Sequence, residues 1–236
     1  MKRFYTMVSH RKTDVQYQIL LDAKPINTPF KNTLHVFQQG LADALVKEWS
    51  SQVDKIVPDT MPLTQIVSTK IDKVSNERAQ MSAEVLKFFN TDLLCYRTDA
   101  PAELLRAQEN AWDPVLKWFA QRFGSELETT QTLVALKQSQ AAHDAIRVYV
   151  EALDDDRFTI LQMITPLAGS IILAMAFIEG EVGGQKLFDC THVEEAFKAE
   201  IYNEEKYGPD PAQEKKDAAM LVDLKAAESF LKYLCE

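Results

Sequence analysis

Glycine, proline and cysteine are scarce in this chain: its 236 residues include 7 Gly, 9 Pro and 3 Cys. So few glycines and prolines exclude collagen-like and low-complexity classes and are typical of a helix-rich globular protein. The cysteines, Cys95, Cys190 and Cys235, lie far apart and form no C-x-x-C pair. Their spacing predicts a reducing compartment and no metal cluster.

The sequence also lacks the common signatures of catalytic and cofactor sites. It contains no dinucleotide fingerprint, no phosphate-binding P-loop, no H-E-x-x-H zinc motif and no nucleophile elbow. Its histidines never fall at the spacing of metal ligands; they are His10, His35, His143 and His192. The sequence therefore gives no motif-based indication of a metal ion or a cofactor.

Positively charged residues are fewer than negatively charged ones: the chain has 26 Lys and Arg and 35 Asp and Glu, which gives a formal net charge of −9. Nucleic acids and anionic membranes are bound through clusters of Lys and Arg, so the charge balance predicts neither as a partner. The basic start of the chain, MKRFYTMVSHRK, lacks the apolar region of a secretory signal and is too short for a transit peptide. We therefore expect a cytoplasmic bacterial protein or one already processed.

One run, FTILQMITPLAGSIILAMAFI at residues 158–178, contains no charged residue. Its length would suit a membrane span. Polar residues such as Gln162 interrupt it, however, and acidic residues flank both ends, without the Lys/Arg bias of a spanning helix. We expect the central helix of a helical bundle, kinked or restarted at Pro166, with Gly169 and Ser170 allowing a neighbouring helix to approach closely.

The pattern of apolar residues changes along the chain from strand-like to helical. Aromatic and β-branched residues at 3–9 and 15–21 predict a β-hairpin, and residues 37–51 show helical spacing. Beyond Pro58 the pattern is nearly all helical. The expected fold class is therefore α+β.

This change of pattern also predicts two domains. The first is a small α+β domain at residues 1–58. The second is a larger, mostly α-helical domain at residues 59–236, built around the apolar helix at 158–178.

Five further helices are predicted in the second domain, at residues 62–90, 101–123, 141–153, 185–202 and 212–234. Asp59 or Thr60 is expected to cap the first of them. Asp113 and Pro114 are expected to interrupt or restart the second, since a proline inside a helix removes a hydrogen bond.

Two acidic clusters allow more than one interpretation. The run at 154–156, three aspartates, could bind a divalent cation, but acidic residues just before a helix ordinarily cap it. Glu194, Glu195 and Glu200 share a predicted helix close to His192. They are interpreted either as a solvated helix face or as carboxylates for acid/base work.

Short segments along nearly the whole chain form an ordered set. They are Lys2-Arg3-Phe4-Tyr5, Ile26-Asn27-Thr28-Pro29, Glu48-Trp49-x-x-Gln52, Pro58-x-x-Met61-Pro62-Leu63-Thr64, Thr91-Asp92-Leu93-Leu94-Cys95-Tyr96-Arg97, Gln108-x-x-x-Trp112-Asp113-Pro114 and Glu194-Glu195-x-Phe197. In order and spacing the set resembles the ATP12 family of F1-ATPase assembly chaperones. The last segment departs from the family pattern, with Lys198 in place of Gln and Tyr202-Asn203 in place of Trp-Gly.

The resemblance implies an assembly chaperone that binds the unassembled F1-ATPase alpha subunit and keeps it soluble until it pairs with beta. It also implies no catalysis, no cofactor, no membrane insertion and a monomeric state. The implied location is the bacterial cytoplasm, or the mitochondrial matrix for eukaryotic relatives.

The resemblance implies partner-binding roles for eight residues: Glu195, Glu194, Glu200, Tyr202, Trp49, Asp92, Trp112 and Asp113. Glu195 is the implied client-contacting or site-organising carboxylate, with Glu200 and Tyr202 near it on the same helix. The four residues outside that helix either touch the client or shape the domain that does, and one sequence does not separate the two roles.

The alternative function is a small-molecule enzyme that uses the carboxylates of Glu194, Glu195 and Glu200. This hypothesis predicts a concave pocket around them and at least one carboxylate with a raised pKa.

Overall fold

The computed structural model describes residues 1–202 and 211–235, with the side chain of Tyr202 left out. The described chain forms two compact units, one of Met1–Arg78 with Lys225–Glu236 and the other of Ala79–Leu224. The boundary of independently folded domains near residue 58 stays a prediction.

A small antiparallel sheet begins the first unit. Strand β1 (Val8–Lys12) pairs with β2 (Tyr17–Leu21), which confirms the predicted hairpin, with both strands starting later than expected. Strand β2 also pairs with β3 (Lys24–Pro25) and β4 (His35–Val36), giving four strands. Ile19 on β2 is fully buried, so the central strand supplies part of the core.

One helix packs on this sheet, and a second helix packs on the first. Helix α1 (Gln39–Ser50) contacts β1 and β2, and α2 (Pro62–Thr69) contacts α1, so the residues just after position 58 belong to the first unit. A π-helical turn, Lys70–Val74, then leads into α3 (Ser75–Lys87). The helix expected at residues 62–90 is therefore divided by this turn.

The start of α2 is held by a side chain that the sequence did not indicate. Glu48 on α1 accepts hydrogen bonds from the backbone N–H groups of Leu63 (2.8 Å) and Thr64 (2.9 Å). The predicted caps Asp59 and Thr60 are wrong, because the neighbouring carboxylate occupies the free N–H groups. Burial raises the pKa of Glu48, although the bonds from Thr64 and Leu63 oppose that shift.

The second unit is helical. Its remaining helices are α4 (Ala102–Phe123), α5 (Gln140–Ala152), α6 (Asp155–Ala168), α7 (Ile171–Ile178), α8 (Gly184–Thr191), α9 (Val193–Tyr202) and α10 (Pro211–Tyr233). The last turns of α10 belong to the first unit. Helices α6 and α7 pack closely on each other, and α4 packs on α7, α8 and α9. The expected α+β class, with the helices following the sheet, is confirmed.

The uncharged run at 158–178 lies at the centre as two helices. Gly169 adopts a left-handed conformation with φ of 62° and ends α6, and the Ser170 hydroxyl accepts a bond from Leu173 N–H (3.0 Å) to start α7. Helix α6 continues through Pro166, so the predicted restart at Pro166 is wrong. The break comes at Gly169 and Ser170, because Gly169 supplies the left-handed residue that ends α6 and Ser170 caps α7. Within the described chain, no helix combines the length and apolarity needed to cross a bilayer.

Helix α4 continues through Pro114, so the expected interruption at Asp113 and Pro114 is wrong. The same helix buries Trp112, Val115 and Phe119 on one face. A proline in a helix costs about 3 kcal/mol, and burying large side chains on both sides of it offsets a cost of that size. Gly124 ends the helix with φ of 68°, as predicted.

Helix ends elsewhere follow local side chains. The helix expected at 185–202 is split at His192, whose ring stacks on Phe188 with centroids 4.0 Å apart. Asp154 accepts a bond from Arg157 N–H (2.7 Å) and caps α6, which confirms the capping interpretation of the aspartate run. Residues 203–210, between the helices expected at 185–202 and 212–234, lie outside the described residues.

Candidate functional site

Asp92 lies at the centre of the second unit with a fully buried side chain. Its carboxylate accepts hydrogen bonds from the Ser170 hydroxyl (2.7 Å) and from the backbone N–H groups of Leu94 (3.1 Å) and Ile172 (3.2 Å). These bonds join the short turn at Leu93–Cys95 to the start of α7. The side chain of Asp92 therefore holds together the interior of the second unit.

Burial raises the pKa of Asp92 to about 6, although the hydrogen bonds from Ser170 and Ile172 favour the charged form. A carboxylate without water in its surroundings loses hydration, and this loss favours protonation. Asp92 is therefore charged at neutral pH and takes up a proton in mildly acidic solution.

Trp112 ties α4 to α8. Its indole Nε1 donates to the Cys190 carbonyl oxygen (2.7 Å), and the side chain is almost completely buried. The guanidinium of Arg97 lies 5.1 Å from the ring centroid and donates to the exposed carboxylate of Asp113 (2.6 Å). Trp112 and Asp113 thus play different parts, the first inside the unit and the second at its surface.

Gln108 connects these segments to the last motif. Its side-chain oxygen accepts from Thr98 N–H (2.8 Å), and its nitrogen donates to the half-buried Glu194 carboxylate (3.2 Å). Motif segments that are far apart in sequence therefore gather around α4, and the first turn of α9 is held in a fixed position.

Glu195 is exposed on α9 and lines a groove of about 620 Å³. The floor of this α9 groove comes from the junction of α6 and α7, where Leu167 is 39% exposed. Its charged walls carry Glu195, Lys216, Asp217 and Asp223. Acidic side chains thus outnumber basic ones around an apolar floor.

His192 supports one wall of the α9 groove. Its Nε2 lies 3.3 Å from the Asp217 carboxylate on α10, and its Nδ1 lies 3.0 Å from the Phe188 carbonyl oxygen. The contact between His192 and Asp217 was not predicted from the sequence. The helical period of α10 indicates which face of the helix is apolar, but it does not indicate which other helix that face contacts.

The other predicted partner-binding residues fall in different places. Glu200 is exposed further along α9, and the side chain of Tyr202 lies outside what the structure describes. Trp49 is half-buried in the first unit, where its carbonyl oxygen accepts from the Tyr5 hydroxyl (2.7 Å). Client contact by any of the eight residues stays a prediction.

The enzyme alternative finds little support in this geometry. Glu195 and Glu200 are exposed, whereas Asp92, the carboxylate with the pKa of about 6, is fully buried and does not line the α9 groove. Among the described residues, no group of three or more His, Cys, Asp or Glu side chains could hold a metal ion.

The fold matches known structures along almost its whole length. The crystal structure of Atp12 from Paracoccus denitrificans has a TM-score of 0.88 and 31% identity, covering 98% of this chain and 97% of that one. The Atu1473 protein from Agrobacterium tumefaciens has a TM-score of 0.89 and 32% identity, covering 99% of this chain and 86% of that one. The described fold and motif cluster therefore define a protein of the Atp12 class.

Sequence comparisons agree. The profile of the ATP12 chaperone protein family matches residues 2–120. The mitochondrial protein atp12 of Schizosaccharomyces pombe is 24% identical over 205 residues, which cover 82% of this chain and 70% of that protein. The chain belongs to the ATP12 family of chaperones, which assist ATP synthase assembly. The resemblance seen in the sequence is confirmed.

Proposed function

We propose that this chaperone binds the unassembled F1-ATPase alpha subunit through the α9 groove and keeps it soluble until it pairs with beta. It acts by binding alone, as a monomer in the bacterial cytoplasm, without catalysis. The observation that carries the proposal is the exposed Glu195 beside the apolar floor of a groove of about 620 Å³.

The chemistry of the groove fits a client segment with apolar and basic side chains. Leu167 offers apolar surface, and Glu195 and Asp217 offer negative charge beside it. Opposite charges across an interface favour the correct partner and speed its association.

The α9 groove is also held in place before a client arrives. Gln108 fixes the first turn of α9 through Glu194, and His192 lies within 3.3 Å of Asp217 on α10. A rigid binding surface loses little conformational freedom on association, which leaves more of the interaction energy available for affinity.

Assembly explains why such a surface would be useful. An unassembled subunit exposes apolar surface that its neighbours later cover, and exposed apolar patches promote aggregation. A chaperone that binds this surface lowers the concentration of the free subunit by mass action. Release then requires that beta compete successfully, so we expect moderate affinity.

Co-expression with the alpha subunit of the same source tests the proposal. We expect alpha to become soluble and to elute with this chain in size-exclusion chromatography, with one copy of each. Added beta should displace the chain. Alpha that aggregates whether or not this chain is present would contradict the proposal.

A further inference from the structure

A second groove, of about 420 Å³, lies in the first unit. Its apolar part is formed by Ile26, Leu34, Ile56, Met61 and Trp49. Hydroxyl and amide side chains from Asn27, Thr64, Gln65, Ser68 and Thr69 complete the wall. No ionisable side chain lines it among the described residues, and its volume falls within the range of about 300–1,000 Å³ typical of binding sites. We call it the Trp49 groove.

Trp49 contributes a hydrogen-bond donor that is not used. Its indole nitrogen is buried and has no hydrogen-bond partner among the described residues. A buried donor without a partner costs about 1–3 kcal/mol, and native proteins rarely leave one without a reason. The nitrogen is covered in this structure, so the ring has to turn before the N–H can reach an occupant.

Part of the groove wall is a turn held by several hydrogen bonds. Asp72, in the π-helical turn, accepts hydrogen bonds from the Thr28 hydroxyl (2.5 Å), the Asn32 side chain (2.9 Å) and the Phe30 N–H (3.0 Å). Asp72 is itself buried, so the bonds are protected from water. The π-helical turn, a feature often found at functional sites, thus fixes the 28–32 turn that forms one side of the groove.

Two exposed apolar residues adjoin lining residues of the groove along the chain. Phe30 is 60% exposed and follows the lining residue Pro29, and Val57 is 43% exposed and precedes the lining residue Pro58. A small molecule enclosed by the groove would leave these side chains in water, whereas a polypeptide crossing the groove would cover them. The described lining itself carries no ionisable side chain, and this favours an uncharged segment because burying an unpaired charge is costly.

We propose that the Trp49 groove binds an extended, uncharged, apolar segment of the alpha subunit, with a backbone carbonyl of that segment accepting from the Trp49 indole. This inference rests on the proposed function, and it assigns the client a second contact with chemistry different from that of the acidic α9 groove. Main-chain groups of the segment would pair with the amide and hydroxyl side chains along the wall.

Site-specific photo-crosslinking tests the inference in the full-length chain co-expressed with alpha. The photoreactive residue p-benzoylphenylalanine replaces Gln65 in the Trp49 groove, Lys216 in the α9 groove, or Glu77, an exposed control in the first unit that lines neither groove. We expect alpha to crosslink at Gln65 with a yield about tenfold above that at Glu77.

Crosslinking at Lys216 with no excess at Gln65 over Glu77 would overturn the inference and leave the proposed function intact. Crosslinking at none of the positions, with alpha failing to co-elute, would overturn both. A second readout is the fluorescence of Trp49, obtained as the difference between the native chain and Trp49→Phe. We expect this emission to shift when alpha binds, and an unchanged spectrum at saturation would count against a contact at the Trp49 groove.

Discussion

The hydroxyl of Ser170 donates to the carboxylate of Asp92 across 2.7 Å, and the two residues are 78 positions apart in the chain. Both side chains are fully buried. The bond connects the family motif at residues 91–97 to the point where the central uncharged run turns from α6 to α7. A residue that the sequence suggests as a partner contact therefore organises the core beneath the surface that we propose to bind the client.

Replacing Asp92 with alanine should lower the free energy of unfolding by about 2–4 kcal/mol. The Ser170 hydroxyl and the N–H groups of Leu94 and Ile172 would lose their acceptor inside the protein. Urea unfolding at pH 7 measures the change, and Asp99→Ala, at an exposed position, is the control. A loss of less than about 0.5 kcal/mol would contradict the structural role.

The raised pKa of Asp92 should make the free energy of unfolding depend on pH. Burial raises it from the ordinary 3.8 to about 6, so between these values the native state binds more protons than the unfolded state. The contribution of Asp92 to stability should therefore fall as pH rises from about 4 to about 6 and stay level above that. The difference in unfolding free energy between the native chain and Asp92→Ala, taken at each pH, isolates it. If this difference in unfolding free energy grew with pH, the prediction would be contradicted. Such growth would mean that the hydrogen bonds lower the pKa of Asp92 more than burial raises it.

Glu48→Ala should destabilise the first unit by about 1–2 kcal/mol, because two N–H groups at the start of α2 lose their acceptor. Asp59→Ala removes the cap that the sequence suggested and should change stability by less than about 0.5 kcal/mol. Thermal unfolding of the two variants side by side makes the comparison. Equal effects would mean that Glu48 does not cap the helix.

Trp112→Phe should keep the alpha subunit bound while costing about 1–2 kcal/mol of stability. The variant loses the bond to the Cys190 carbonyl oxygen and retains most of the buried ring. Trp118→Phe, on the same helix at a half-buried position, serves as the control. Loss of alpha binding without loss of stability would instead make Trp112 a client contact.

The spacing of apolar residues predicted much of the fold, because helices and strands are determined largely by residues that are close together in the sequence. The hairpin of β1 and β2, the helices α1, α5 and α10, and the end of α4 at Gly124 all follow from local patterns. In the central run a restart was predicted at Pro166, whereas the break lies at Gly169 and Ser170, which were expected only to allow a neighbouring helix to approach closely.

The candidate site was predicted only in part, since it depends on pairs that lie far apart in sequence. The bond from Gln108 to Glu194 spans 86 positions, and no helical period reports which face meets which. The contact between Glu48 and the start of α2 was not predicted for the same reason. Both members of the first pair lie in the motif segments, so the motifs did mark the residues although not their contact.

The measurement that tests the central claim most directly compares Glu195→Lys with Glu151→Lys in retention of the alpha subunit. Glu151 is exposed on α5 and does not line the α9 groove, so the control carries the same change of charge. We predict that Glu195→Lys weakens alpha binding about tenfold or more, because it puts a positive charge where the client is attracted by a negative one. Thermal stability should be unchanged, and Glu151→Lys should bind normally. Equal retention of alpha by the two variants would contradict client binding at the α9 groove.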